Sequence, residues 1–357
     1  MIAGTGRARR RRARDDVPGA RSSAGRRSGG TSSRASLRTV GSSTIATLVV
    51  TTAFALAGAG AVAAPFAFAT NQGSNDVSVI DTGSGEVVAN VAVGDQPAGV
   101  SVSPDAATVW VSNPGDGTIS EIDTATLVVR RTHALPPGPL ALLATDTRLL
   151  VADWYEHHVS VLDTASGETL SRFAVGQAPS GLALSADGET LYVAERDDDA
   201  VSAYALRGGE RSGSVAVGAR PFGLALEAGG ERLWVANVAG NSVSVIDTAT
   251  MESLAEIAVG ERPYAVALAL DDSVALVTDQ YDDAVSVIDT ASLERVASID
   301  VGEYPEGIAT HPDDVHVYVA NWFEDTLSVI DARTLEVIDT IGTGSGTRAY
   351  GNFIAPR

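Results

Sequence analysis

A recurring turn of the form Val-Gly-x-x-Pro-x-Gly carries the residues of this sequence that are best suited to bind a ligand. Arginine guanidinium groups bind carboxylates through paired hydrogen bonds, and aromatic faces stack on sugars and planar rings. Three of the last four copies have an arginine and an aromatic residue on either side of the proline, or of the alanine that replaces it, and the fourth has a tyrosine and a glutamate. These flanking residues are Arg220, Phe222, Arg262, Tyr264, Tyr304, Glu306, Arg348 and Tyr350.

These eight residues predict a binding site for an acidic or carbohydrate-like ligand. The first three copies of the turn have neither arginine nor aromatic residues at the same positions, which hold Gln96, Ala98, Gly138, Leu140, Ala178 and Ser180. Only 14 arginines follow residue 64, so three at one repeat position favour a shared role. The alternative is that the arginines stack on the aromatic rings and pair with nearby acids without binding anything.

A second group of loop residues adds aromatic and basic side chains: Trp154, Tyr155, His157, His158, Arg196, Tyr281, Trp322 and Phe323. Adjacent side chains point apart on an extended chain, so the histidine pair predicts no metal site. The acidic runs at 197–199 and 282–283 are interpreted as solvated turns rather than Ca²⁺ sites. Nucleophile, phosphate-loop and zinc-protease motifs do not occur. We therefore predict no catalytic residue, no metal and no cofactor.

A repeat of about 42 residues spaces these side chains along the chain. Each copy, such as Pro221 to Gly260, contains four short apolar runs separated by turn residues. The third run, most often Val-Ser-Val-Ile-Asp, begins at residues 77, 119, 159, 201, 243, 285 and 327. Seven copies of a four-stranded unit predict an all-β fold, a seven-bladed β-propeller of four-stranded antiparallel blades.

Two repeat positions are interpreted as structural. The second run carries a large apolar residue in every copy, which favours packing between blades over a ligand-stacking ladder. These residues are Phe68, Trp110, Leu150, Tyr192, Trp234, Leu276 and Tyr318. The Asp that ends most third runs is expected to accept backbone hydrogen bonds in the following turn.

The second runs resemble the YVTN β-propeller repeat. The motifs are Val317-Tyr-Val-Ala-Asn321, Leu233-Trp-Val-Ala-Asn237 and Leu191-Tyr-Val-Ala-Glu195, each followed by the third run and the Val-Gly-x-x-Pro-x-Gly turn or, after the last copy, its proline-free variant. The resemblance extends from Ala67 to the C-terminus and implies a seven-bladed propeller. Proteins with this repeat are mostly extracytoplasmic surface and periplasmic proteins of bacteria and archaea. The resemblance therefore implies an extracytoplasmic location and specifies no activity.

The two ends of the chain are expected to close the ring. The N-terminal blade has no first strand, and residues 348–355 resemble a first strand with nothing after it. Pairing the N-terminal strands with this C-terminal innermost strand would complete a blade and remove an exposed sheet edge. Residues 65–357 then form one propeller domain.

Residues 1–64 are predicted to be an Arg-rich leader and signal peptide. Eleven arginines precede an apolar run at 44–64 that contains Ala61-Val62-Ala63, a small-residue cleavage site. Cleavage is expected after residue 63 or 64, because cleavage after Ala69 would remove the blade strand Ala67–Asn71. The alternative is an uncleaved weak anchor, since 21 residues just span a bilayer. Both alternatives predict a secreted or cell-envelope protein.

Charge and composition exclude several classes of partner. The chain has 25 basic residues, all Arg, against 45 acidic ones, and 43 of the acids follow residue 64. Such a surface repels nucleic acid and anionic lipid, so we expect no nucleic-acid partner and membrane contact only through an uncleaved leader. The absence of cysteine excludes disulfides and thiolate metal sites. We expect a monomer.

Three functions remain open from the sequence. The one we favour is an exported binding module, without catalysis, that holds a small anionic or carbohydrate ligand, or a cell-surface protein, at the mouth of the channel. The second is a lactonase-like or lyase-like propeller enzyme, for which only Glu306 among the eight residues offers an acid–base group. The third is a structural or adhesive cell-surface module.

Overall fold

The computed structural model describes residues 65–135 and 138–355, which form seven antiparallel blades arranged in a ring. Blade 1 contains β1 (Phe66–Asn71), β2 (Asp76–Asp81) and β3 (Glu86–Ala92). Blade 2 contains β4 (Gly99–Val102), β5 (Thr108–Asn113), β6 (Thr118–Asp123) and β7 (Val128–Ala134). Blade 3 contains β8 (Pro139–Ala144), β9 (Arg148–Asp153), β10 (His158–Asp163) and β11 (Thr169–Ala174).

The remaining four blades follow the same order. Blade 4 contains β12 (Pro179–Leu184), β13 (Thr190–Glu195), β14 (Ala200–Ala205) and β15 (Arg211–Ala216). Blade 5 contains β16 (Pro221–Leu226), β17 (Arg232–Asn237), β18 (Ser242–Asp247) and β19 (Glu252–Ala258). Blade 6 contains β20 (Pro263–Ala269), β21 (Val274–Asp279), β22 (Ala284–Asp289) and β23 (Glu294–Asp300). Blade 7 contains β24 (Pro305–Thr310), β25 (His316–Asn321), β26 (Thr326–Asp331) and β27 (Glu336–Gly342). The last strand is β28 (Tyr350–Asn352), and a one-turn 3-10 helix occupies Arg196–Asp198.

The core lies between neighbouring blades. Second and third strands are buried along almost their whole length, whereas the outermost strand of each blade exposes much of its surface, as in β7. The predicted packing positions on the second strands are all buried, with Phe68 and Trp234 completely enclosed. One blade could not enclose these side chains alone, because both faces of its sheet are apolar, so the repeat requires a ring.

Turn chemistry sets the length of the strands. The Asp that ends the third strand accepts backbone hydrogen bonds from the second or third residue after it. Asp163 Oδ1, for example, accepts from Ala165 N at 3.1 Å and from Ser166 N at 2.8 Å. Equivalent bonds occur at Asp81, Asp123, Asp247, Asp289 and Asp331. The prediction that these acids are turn devices is confirmed.

The C-terminal segment closes the ring as predicted. It runs antiparallel to β1, with hydrogen bonds from Phe68 N to Phe353 O (2.8 Å) and from Ala355 N to Phe66 O (2.9 Å). It also pairs in parallel with β4 of blade 2, a contact that the sequence did not predict. The same segment therefore completes blade 1 and joins it to blade 2, and the seven-bladed closure is confirmed.

The innermost strands of blades 4 and 5 approach so closely that Gly181 leaves no room for a side chain. A Cβ atom on Gly181 would lie 2.2 Å from Phe222 O of the next blade.

The predicted leader, 1–64, lies outside the described residues. Within 65–135 and 138–355, no helix has the length and apolar character needed to cross a membrane.

Candidate functional site

One face of the disc, which we call the channel face, is built from two sets of loops that are bonded to each other. The loops before the first strands carry left-handed residues, including Arg220, Arg262 and Tyr304 with φ between 56° and 58°. The backbone N–H of each donates to a side chain from a loop between second and third strands: Asp199, Asn241 and Asp283, at 2.7 to 3.0 Å. These bonds fix the direction in which the predicted site residues leave the backbone.

His157 has the same role in blade 3. Its Nδ1 accepts a hydrogen bond from Ala178 N at 3.0 Å, and its own φ is 55°. His158 is buried in β10, and burial lowers the pKa of its imidazole. The two adjacent histidines therefore have structural positions and do not converge.

Three predicted site residues form a plug of aromatic rings in the channel. Phe222 lies 4.2 Å from Tyr264 and 5.0 Å from Tyr350 between ring centroids, and each of the three side chains is buried. Tyr350 comes from blade 1 but its hydroxyl donates to Ser180 O (3.0 Å) and Phe222 O (3.3 Å) in blades 4 and 5, on the other side of the ring. The rings therefore fill the channel at this level.

Two more predicted residues form a buried ion pair beside the plug. Arg348 Nε donates to Glu306 Oε2 at 2.5 Å, and Arg348 Nη2 donates to the Tyr264 hydroxyl at 2.9 Å. Gln280 Nε2 donates to Glu306 Oε1 at 2.9 Å, which completes the environment of the carboxylate. Burial raises the pKa of Glu306, and the Arg348 charge opposes that rise. Arg348 is therefore already neutralised within the protein.

A cluster of three arginines lies on the channel face, and among the described residues it contains one ion pair with an acid. Arg196 stacks over the Trp154 ring at 5.0 Å, and Arg262 stacks over the Tyr281 ring at 4.9 Å. Burial, and after it the positive charge of Arg220, lowers the pKa of Arg196, and Arg262 contributes in the same sense. Arg220 and Arg262 therefore both lie close enough to Arg196 for their charges to act on it. We call Arg196, Arg220 and Arg262 the arginine cluster.

Two members of the cluster have no acidic partner among the described residues. Arg196 pairs with Asp197 at 2.8 Å, but neither Arg220 nor Arg262 forms an ion pair with a carboxylate of 65–135 or 138–355. The Nε of Arg262 is buried with no hydrogen-bond partner. Arg220 is exposed. In a chain with 45 acidic residues, this is an unusual surplus of positive charge in one place.

An aromatic surface adjoins the cluster on the side of blades 6 and 7. Tyr304 lies between Tyr281 (5.6 Å), Trp322 (5.4 Å) and Phe323 (4.8 Å). Tyr281 and Phe323 are exposed, at 40% and 59%, which leaves ring surface open to a ligand. Burial first, and then the charge of Glu306, raises the pKa of Tyr304, so its hydroxyl is a donor at neutral pH.

The structure thus brings the eight predicted residues together, but in two layers with different roles. Phe222, Tyr264, Tyr350, Glu306 and Arg348 form a buried layer across the channel. Arg220, Arg262 and Tyr304 remain above it on the channel face. Arg196 and Tyr281 belong to this upper layer although they were outside the predicted site. Their place in the second set of same-face loops was the signal that could have included them.

The fold and the upper layer define a seven-bladed β-propeller with a basic, aromatic patch on one face of an acidic disc. A family model described as a YNCE-like beta-propeller matches residues 157–313. This match and the seven blades confirm the resemblance to YVTN-type propellers. A comparison with curated proteins found no match.

Solved structures of the same fold come from proteins of different kinds. The chain is similar to a functionally unknown protein from Desulfotomaculum acetoxidans, at 15% identity and a TM-score of 0.70 over 80% of this chain and 99% of that one. It is similar to hydrazine synthase of Kuenenia stuttgartiensis, at 21% identity and a TM-score of 0.63 over 70% of this chain and 87% of that one. It is also similar to the dihydro-heme d1 dehydrogenase NirN, at 18% identity and a TM-score of 0.63 over 81% of this chain and 75% of that one. At these identities the likeness shows the fold alone.

Proposed function

We propose that this protein is a binding module whose channel face holds an anionic ligand on the arginine cluster. The observation that carries the proposal is that the charges of Arg220 and Arg262 both act on Arg196, while Asp197 is the one acidic partner of the three among the described residues. A carboxylate placed there would relieve this repulsion and accept hydrogen bonds from the guanidinium groups.

The surrounding charge supports an anion as the ligand. The chain carries a formal net charge of −20, so a positive patch is a local reversal of sign that attracts anions toward one face. The buried Nε of Arg262 lacks a partner, and an unsatisfied donor of this kind favours a ligand that supplies an acceptor.

The aromatic surface supports a ligand that also carries a ring. Trp154 and Tyr281 already lie under Arg196 and Arg262, and Tyr281 and Phe323 keep open faces. A uronic acid or an aromatic carboxylate would place its carboxylate on the arginines and its ring on these faces. Because the plug fills the channel, such a ligand would lie on the channel face and would not pass through the disc.

The enzyme alternative receives less support from the geometry. Glu306 is the only acid–base candidate among the eight residues, and it is 1% exposed and bonded to Arg348 and Gln280. A group that is enclosed in this way does not reach a substrate on the channel face.

Thermal-shift measurements on three proteins would test the proposal. The probes are galacturonate, glucuronate and benzoate, with glucose as a neutral probe. We expect the acids to stabilise the wild type and not the variant R220A/R262A. The control R207A/R333A removes the same charge from exposed arginines in turns of the opposite face and should respond like the wild type. Equal stabilisation of all three proteins, or no stabilisation by any acid, would contradict the proposal.

We also propose that binding occurs outside the cytoplasm after the leader is removed. The support is the basic and apolar composition of residues 1–64 together with the position of β1, whose Phe66–Asn71 strand is part of blade 1. Mass spectrometry of the mature protein should find an N-terminus at Ala64 or Pro65. A start at Thr70 would contradict this, since it lacks most of β1.

A further inference from the structure

A groove lies on the face opposite the channel face, between blade 7 and blade 1. It has a volume of about 730 Å³. One wall is the turn between β24 and β25, which contains His311, Asp313 and His316, and the other includes Thr82 and the following turn of blade 1. The proposed ligand site on the channel face does not share any of these residues, so the two proposals can be tested independently.

Two imidazoles converge on one carboxylate oxygen in this groove. Asp313 Oδ2 lies 2.9 Å from His311 Nδ1 and 2.6 Å from His316 Nδ1. Asp313 Oδ1 is occupied separately, because it accepts hydrogen bonds from Val315 N (2.9 Å) and His316 N (3.0 Å). The turn therefore holds the carboxylate in place and directs its second oxygen toward both rings.

A hydrogen-bond chain across the blade interface fixes the tautomer of His311. The Thr82 hydroxyl donates to Pro65 O at 2.5 Å, and a carbonyl can only accept. Thr82 Oγ1 therefore accepts from His311 Nε2–H at 3.2 Å. In the neutral imidazole, His311 Nδ1 then has a lone pair, which accepts from the Asp313 N–H (3.2 Å) and lies 2.9 Å from Asp313 Oδ2. A lone pair facing a carboxylate oxygen at this distance is stabilised by a cation between them.

The distances suit a small divalent ion with nitrogen and oxygen ligands. One ligand atom from each of the three residues lies within 4.8 Å of the others. Zinc bonds of about 2.0–2.2 Å in a tetrahedral site separate ligand atoms by about 3.3 Å, so His311 Nδ1 and His316 Nδ1, now 2.9 and 2.6 Å from Asp313 Oδ2, would move away from it by about 0.4 and 0.7 Å. Thr82 would then be the partner that orients a ligating histidine, a common feature of such sites.

The other blades show that this turn does not need histidine. In blade 2 the same three positions are Ser103, Asp105 and Thr108, and the Ser hydroxyl bonds to Asp105 Oδ1 at 2.6 Å and to Thr108 N at 3.0 Å. Blade 4 repeats this arrangement with Ser185, Asp187 and Thr190. Blade 7 replaces both hydroxyl residues by histidine. The two imidazoles are therefore additions to a turn that forms without them.

Negative charge around the groove favours a cation. The carboxylates of Asp313 and Asp339 both line the groove. His311 is mostly buried, whereas Asp313 and His316 keep 24% and 37% of their side-chain surface exposed. An ion bound here would be held at the wall of the groove with an open side toward the solvent.

We propose that His311, Asp313 and His316 form a three-ligand site for a divalent transition-metal ion such as Zn²⁺, with the remaining coordination position open to the groove. Two neutral imidazoles and one carboxylate are a ligand set that Zn²⁺ prefers over Ca²⁺ and Mg²⁺, which take oxygen ligands.

The test is calorimetric titration of Zn²⁺ into the chelator-treated full chain, in the presence of excess Mg²⁺ to occupy surface carboxylates. We expect one site per chain. The variant H311S/H316T reproduces the turn of blade 2 and should weaken Zn²⁺ binding by at least about 100-fold, and T82V by about tenfold. The control H157N, at a left-handed position that Asn tolerates, should bind like the wild type.

Co²⁺ provides an independent readout, because its visible absorption reports nitrogen ligation in a low-symmetry site. The absorption should appear with the wild type and be lost in H311S/H316T, whose fold is checked by circular dichroism. If that variant does not fold, H316T alone is used and should still weaken binding by about tenfold or more. The proposal is overturned if the wild type binds no Zn²⁺ in excess Mg²⁺, or if removing these histidines leaves the affinity unchanged.

Discussion

At the scale of single residues, Asp279 departs from the pattern of the repeat. It ends the second strand of blade 6, where four other blades have Asn71, Asn113, Asn237 and Asn321. Each of those asparagines donates to the Ser on the neighbouring third strand, for example Asn237 Nδ2 to Ser244 Oγ at 2.9 Å. In blade 6 the direction is reversed, and Ser286 Oγ donates to Asp279 Oδ2 at 2.5 Å. Burial raises the pKa of Asp279 to about 6.

The substitution Asp279→Asn is expected to stabilise the protein in a pH-dependent way. A carboxyl group whose pKa is higher in the folded state disfavours folding once the pH rises from about 4 to above 6. Asparagine removes this cost, so the free energy of unfolding should rise by about 3 kcal/mol at pH 8 and change little at pH 4. Urea unfolding at both pH values measures it.

The control for this prediction is Asp289→Asn. Backbone and side-chain hydrogen bonds from Ser292 lower the pKa of Asp289, so its ionised form stabilises the fold above the ordinary carboxyl pKa. Asp289→Asn should therefore lower the free energy of unfolding at pH 8, whereas Asp279→Asn should raise it. A stabilisation by Asp279→Asn that is the same at pH 4 and pH 8 would contradict the argument.

Removing one partner of the Arg348–Glu306 ion pair should destabilise the fold. Arg348→Met would leave the Glu306 carboxylate buried without its cation, which costs about 3–5 kcal/mol. The double variant E306Q/R348M keeps an acceptor for Gln280 and should lose less than R348M alone. Urea unfolding of the three proteins decides it. If R348M is as stable as the wild type, the pair is not buried as described.

At the scale of elements, the repeat made the blades predictable and left the closing strand only partly so. Four apolar runs per copy and a missing first strand predicted the antiparallel pairing of the C-terminal segment with β1. The parallel pairing of β28 with β4 could not be predicted, because it depends on how closely innermost strands approach. That approach is visible only in three dimensions, where Gly351 lies against Val100 O.

Phe353 is expected to hold the closing segment in place. Its side chain is completely buried, and its carbonyl accepts from Phe68 N. Phe353→Ala should cost about 3–5 kcal/mol, because it opens a cavity where the two ends of the chain meet. The control Phe323→Ala removes a ring that is 59% exposed and should change stability by less than about 0.5 kcal/mol. Similar thermal midpoints for the two variants would contradict this role of the segment.

At the scale of the whole molecule, the disc has two faces with different chemistry. The channel face gathers arginines and aromatic rings, whereas the opposite face has the aspartates that end the third strands and the histidine turn of blade 7. The distribution of loops between the faces followed from strand alternation. Which side chains remain free could not be predicted from spacing, because Tyr350 crosses the ring and Arg348 pairs with Glu306 from the neighbouring blade.

The repeat positions therefore predicted which residues lie close together better than which of them remain free to bind a ligand. All eight predicted residues lie at the channel, but five of them bond or pack with one another below the surface. Arg220 and Arg262 differ because the preceding blade has Ser180 and Phe222, respectively, at the position where Glu306 precedes Arg348. We propose that this difference separates the structural layer from the binding layer.

A crystal structure of the full chain soaked with the acid that stabilises it most would test the central claim most directly. We predict that the carboxylate lies about 2.7–3.0 Å from guanidinium nitrogens of Arg220 and Arg262, with the ring of the ligand against Trp154 or Tyr281. Density for the same acid in the groove of blade 7, or on the outer strands, with Arg220 and Arg262 bonded only to protein groups, would contradict it.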